Sequence, residues 1–156
     1  MKLHYAILLA FCLIGGVSAF DSFEEAFEAG IQAQKEGRLE QAVIYFKQSE
    51  DRAKTPDEKY KVLITRANHY RAEKEWVEAE RTLEKIINAE GMDPVLVATA
   101  RIHQVHNIRF QGKLAEAAAA YIALGEQTDL PPGIRANALL DAGILLRNMN
   151  KLDDAL

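Results

Sequence analysis

Four times along the chain one short pattern returns: Gly37-Arg38-Leu39-Glu40-Gln41-Ala42, Lys74-Glu75-Trp76-Val77-Glu78-Ala79, Gly112-Lys113-Leu114-Ala115-Glu116-Ala117 and Asn150-Lys151-Leu152-Asp153-Asp154-Ala155. The closing alanines recur at a nearly constant interval of about 37–38 residues. A fixed period of this length points to one supersecondary unit repeated, because each copy buries its apolar face only by stacking on a neighbour. Each cassette runs from a turn-former or polar residue to a large apolar residue, an acid or amide, and then Ala. That order predicts a helix starting just after a tight turn.

The flanks carry a helical rhythm. Phe46, Leu83 and Tyr121 follow the alanine by four, and Ser49, Ile86 and Leu124 by seven, so all share one helical face. Nine before the alanine stand Ala33, Tyr70, Ile108 and Leu146; twelve before stand Gly30, Ala67, Val105 and Gly143. The last set is small in three of four copies, as a close helix–helix approach requires. Each unit therefore reads as a helix, a short turn and a second helix bearing the alanine.

Boundary signals separate the units. Thr55-Pro56-Asp57-Glu58 is a capping box with proline at the first helical position. Asp93-Pro94 repeats cap then proline, Leu130-Pro131-Pro132-Gly133 breaks the chain, and Ser22 with Glu25 forms another capping box. Helices are predicted at 22–36, 39–53, 56–73, 76–89, 94–111, 114–127 and 133–148.

These residues resemble the tetratricopeptide repeat (TPR) family, whose pattern is a small residue, an aromatic three later, then Ala-x-x-x-aromatic and a closing proline. Ala67 with Tyr70 matches the first half; Ala42 with Phe46 and Ala117 with Tyr121 match the second. The resemblance covers residues 22–156. It implies an all-α, right-handed superhelical solenoid of antiparallel helix pairs. There would be about 3.5 repeats, each of about 37–38 residues, in units of about 22–55, 56–93, 94–131 and a truncated 132–156. The period is longer than the family's, and the prolines follow the cassette alanines later than the family's closing proline does. Arg66 and Gln104 stand where a large apolar residue is usual. The fourth unit reaches only Leu156, which leaves Leu139, Leu140, Leu145 and Leu146 without a covering helix. The expectation is a longer natural protein, or self-association through this C-terminal helix.

Residues 1–19 differ from the rest. Lys2 precedes an uncharged stretch from Ala6 to Val17, and Val17-Ser18-Ala19 offers a small-residue cleavage site. That stretch is too short for a bilayer, whose core needs about 20 residues of helix. Residues 1–19 are expected to be a secretory signal peptide, with the mature domain at 20–156 in a periplasm or outside the cell. Phe11 before Cys12 argues against a lipoprotein signal. Without this segment the chain has no cysteine and 18 basic against 23 acidic residues, so it cannot use disulfides and has no general affinity for nucleic acid.

No nucleophile elbow, phosphate loop or zinc-protease helix occurs, so no enzyme activity, cofactor or metal is expected. His103 and His106, three apart, lack a convincing third ligand. Trp76 shares its column with Leu39, Leu114 and Leu152 and is expected in the core. One column suggests recognition instead: Gln34, Arg71, Arg109 and Arg147 stand eight before each alanine. By helical spacing Asn68, His103 and His106 share this face. The resemblance implies that such first-helix faces line a concave, peptide-binding groove. The expected binding residues are thus Asn68, Arg71, His103, His106, Arg109 and Arg147, and the expected partner is a protein or peptide, acidic in character. Two alternatives stay open. One is a repeat region of a longer protein with an enzyme or envelope domain beyond residue 156. The other is a solenoid for small molecules or polysaccharide, for which Phe27 and Phe110 are the candidate stacking rings.

Overall fold

A computed structural model describes residues 20–153. The expected signal segment, residues 1–19, and the fourth alanine, Ala155, lie outside the described residues. Among these residues all regular structure is helical: α1 (Phe23–Lys35), α2 (Leu39–Glu50), α3 (Pro56–Ala72), α4 (Trp76–Ile87), α5 (Pro94–Phe110), α6 (Leu114–Glu126) and α7 (Pro132–Asp153). No helix among them is long and apolar enough to cross a membrane.

The helix starts follow their caps. Thr55 accepts from the Glu58 N–H at 3.2 Å while Glu58 accepts from the Thr55 N–H at 3.1 Å, a complete capping box with Pro56 at the first position. Ser22 caps α1 through the Glu25 N–H, but the Glu25 carboxylate reaches back one residue further, to Asp21. Asp93 holds the Val95 N–H at 2.6 Å ahead of α5.

The cassettes work as helix stops as well as starts. Gly37, Lys74 and Gly112 adopt φ of +72°, +62° and +80°. In each case this residue's N–H bonds the carbonyl three back, and the next N–H bonds the carbonyl five back: Arg38 to Ala33, Glu75 to Tyr70, Lys113 to Ile108. This is the Schellman arrangement, which ends a helix by satisfying its last carbonyls. It demands left-handed backbone, costly for a residue with a Cβ, so glycine fills it twice and Lys74 fills it under strain.

At the fourth cassette the sequence expectation fails. The repeat implies a turn after residue 148, yet α7 runs on through Asn150 to Asp153. Asn150 takes no left-handed turn.

Two compact units divide the chain, one ending at Ala53 and one starting at Lys54. In the first, α1 packs on α2 through Phe23, Phe27 and Phe46, with successive ring centroids 5.6 and 6.0 Å apart. A Cβ at Gly30 would lie 2.6 Å from the Phe46 ring, so only glycine permits this approach. In the second unit each helix packs on the next, from α3 to α7. Ala42, Ala79 and Ala117 are fully buried, as are Phe46, Leu83 and Tyr121 four residues on. On α7, Leu145 is buried with Ala138 and Ala142 against the α5–α6 core, contrary to the expectation that it lies uncovered. Leu139, Leu140 and Leu146 do stay exposed, joined by Ile144.

Candidate functional site

Arg71 ends α3 on the face toward α5, where a guanidinium Nη lies 3.1 Å from His103 Nδ1. Arginine has only donors, so His103 must accept here and its neutral ring carries its proton on Nε2. Arg71 also donates to Asn68, one turn earlier, and its guanidinium carbon sits 5.5 Å from the centre of the exposed Phe110 ring. Arg71 and His103 are far apart in sequence, and the pairing of α3 with α5 brings them together.

His106 follows on the same face of α5. Its ring meets His103 edge-on at 5.3 Å and Tyr121, from α6, at 6.0 Å. Tyr121 is fully buried, and its hydroxyl has no hydrogen-bond partner of normal geometry. Burial first and then the Asp141 carboxylate push its pKa up, while Arg109 and Arg71 pull it down. Asp141 of α7 and Arg109 of α5 thus complete a cluster drawn from four helices.

Burial leads each shift at the site. Burial, with Arg71 and then His106 adding to it, depresses the His103 pKa to about 4. His106 is lowered by burial and by Arg71 and Arg109, with Asp141 opposing. Both imidazoles are therefore neutral at pH 7. Burial also lowers the pKa of Arg71. Neither Arg71 nor Arg109 forms an ion pair among the described residues. Two cations beside two neutral rings suit an incoming anion. Among the described residues no three His, Cys, Asp or Glu side chains come together in a metal-holding group.

Five of the six sequence-named residues thus share this place: Asn68, Arg71, His103, His106 and Arg109. Arg147 does not. It lines a shallow depression of α7 with Leu139, Leu140, Gly143 and Ile144. Sequence reasoning misses Tyr121 as a site member, although a hydroxyl in the Phe46 and Leu83 column is a visible signal. Trp76 is half-buried, as are Leu39 and Leu114 of its column, and it lines a surface trough with Glu80 and Asn107. Of the two candidate stacking rings, Phe27 is buried and Phe110 exposed, and Arg71 already covers a face of the latter.

No family model matches the chain, and neither the curated proteins nor the solved structures contain a match.

Proposed function

We propose that this chain is an exported, TPR-like scaffold that binds a protein or peptide partner and takes no part in catalysis. The helix pairs continue as a right-handed solenoid, and the Arg71–His103–His106–Arg109 face lies on its concave side. The partner presents a carboxylate there, within a cell-envelope or secreted assembly. The observation that carries this reading is Arg71. It is half-buried and lowered in pKa by that burial, yet no carboxylate of the described chain lies against it. Desolvating a cation costs free energy, which an anionic ligand recovers through charge-assisted hydrogen bonds. Asn68 and the two imidazoles offer further polar contacts, and Phe110 gives an apolar flank. The repeated Schellman turns support the repeat architecture, and the leading segment 1–19 supports export.

The test uses an acetylated, Asp- and Glu-rich peptide and its amide counterpart rich in Asn and Gln. The acidic peptide should bind the wild-type chain and weaken at least tenfold with Arg71→Ala or Arg109→Ala. Raising salt should weaken it further, since exposed charges are screened. Equal binding of both peptides, or indifference to both substitutions, would remove the proposal.

A further inference from the structure

On another side of the second unit α4, α5 and α6 enclose a trough that the arginine face does not use. Two adjoining depressions, of about 470 and 570 Å³, share Glu80, Glu84 and Ile108 as common lining. Trp76, Val77, Arg81, Asn107 and Gln111 complete the first; Ile87, Val105 and Leu124 are among the apolar residues of the second. The floor of the trough runs along α5 and its C-cap from Arg101 to Gln111, about 15 Å at the rise of a helix. That length suits an extended segment of about four or five residues.

One buried acceptor in the first depression lacks a donor. Glu80 is gripped by two amides: Gln104 donates to one carboxylate oxygen and Asn107 Nδ2 to the other, at 3.3 Å. This fixes the Asn107 orientation, because a flipped amide would set its oxygen against the carboxylate. Asn107 is 1% exposed, and its Oδ1 is left without a partner. A buried acceptor without a donor costs about 1–3 kcal/mol. Glu84 stands one turn beyond Glu80 on α4, a like-charge spacing that disfavours an isolated helix. No cation of the described chain relieves either one. Arg81 lines the first depression but its guanidinium is held by Glu78 at 2.7 Å, and Arg101, at the far end, donates to Gln127.

We infer that this trough is a second docking site, taking a basic polypeptide segment whose lysine or arginine enters beside Glu80, Glu84 and Asn107. The ammonium or guanidinium supplies both the missing charge and the missing donors. The Trp76 indole flanks the cation, an arrangement that favours positive charge over a ring face. Apolar neighbours of the basic residue then occupy the second depression. The acidic balance of the whole chain, −4 at pH 7, adds long-range attraction for such a segment.

Trp76 is the chain's single tryptophan, so its emission reports on this site. Titration of the full chain with acetyl-Lys-Leu-Lys-Leu-amide should give a saturable change in emission. Affinity should fall at least tenfold in Glu80→Gln and in Glu84→Gln, and stay unchanged in Glu90→Gln. Glu84 makes no side-chain hydrogen bond or ion pair within the described chain, so its variant separates lost binding from lost folding. An equal response to acetyl-Glu-Leu-Glu-Leu-amide, no response at all, or full affinity in both variants would overturn the inference. A response to spermidine with none to the peptide would overturn the polypeptide occupant. None of these outcomes touches the arginine-face proposal, whose residues lie outside the trough.

Discussion

The α1–α2 pair and the α5–α6 pair are built in the same register, yet they present opposite chemistry. Counting back from the buried alanine, the first pair places Gln34, Ile31 and Glu28 at eight, eleven and fourteen positions. The third places Arg109, His106 and His103 there. Four positions after the alanine, Phe46 in one pair and Tyr121 in the other are both fully buried. In the first pair that ring lies against Phe27; in the third it lies against an imidazole, and its hydroxyl enters a charged cluster. The backbone devices, a Schellman turn and a buried alanine, are common to both. Helix pairing and surface chemistry are therefore separable: the turn and the alanine recur in both pairs, and three or four face positions differ.

Exchanging the aromatic groups tests this separation most severely. Phe46→Tyr puts a hydroxyl where neither cation nor imidazole waits. The unsatisfied group should destabilise the chain by about 1–3 kcal/mol. Tyr121→Phe removes a hydroxyl that already lacks a normal partner, so it should cost less than about 0.5 kcal/mol. It should still alter binding at the Arg71–Arg109 face. Urea unfolding of the two variants gives both figures. Equal costs would mean that the two pairs are alike and that the polar cluster is incidental.

The second pair provides a gentler test, since it makes the shared turn with the wrong residue. Lys74 holds φ of +62°, whereas Gly37 and Gly112 occupy the corresponding positions. Left-handed backbone costs a residue with a Cβ about 1–2 kcal/mol, so Lys74→Gly should stabilise by about 1 kcal/mol. Gly112→Lys should destabilise by a similar amount. A neutral Lys74→Gly, measured by thermal melting, would show that the lysine side chain recovers the strain elsewhere.

Much of this organisation is legible in the sequence. The six helices from α1 to α6 start and end within about three residues of their expected limits, because capping residues, prolines and cassette turns act locally. α7 departs from its expected end: Asn150 does not take the left-handed backbone that Gly37, Lys74 and Gly112 adopt at the corresponding place. At the site, the columns name Arg71, His103, His106 and Arg109, since helical spacing determines which residues share a face. They place Arg147 with these residues, but it lies instead on the apolar surface of α7. Tyr121 escapes notice because it joins from another helix, and periodicity within one helix says nothing about contacts between helices.

The smallest expected effect concerns pH, and again it separates the two pairs. The first pair has no histidine, whereas His103 and His106 of the third are both depressed below their ordinary value, His103 to about 4. Such a group binds protons more readily when unfolded, so stability should fall as pH drops from about 6.5, the unfolded value, and level off near 4. The loss arises first because burial disfavours the charged ring, and then because a protonated His103 would turn an N–H toward the Arg71 guanidinium, which has no acceptor to offer. Both rings keep some solvent contact, so screening leaves only a fraction of the ~1.4 kcal/mol that a tenfold change in proton affinity represents. Carboxylates titrate at the bottom of this window, so melting should be followed between pH 6.5 and 5. The midpoint should decline over that range in the wild type and decline less in His103→Gln. The same variant should also flatten the pH dependence of acidic-peptide binding, which a purely structural histidine would leave untouched. If wild type and variant lose stability in parallel, the imidazole pair is not the source, and the contrast between the two helix pairs reduces to their arginines.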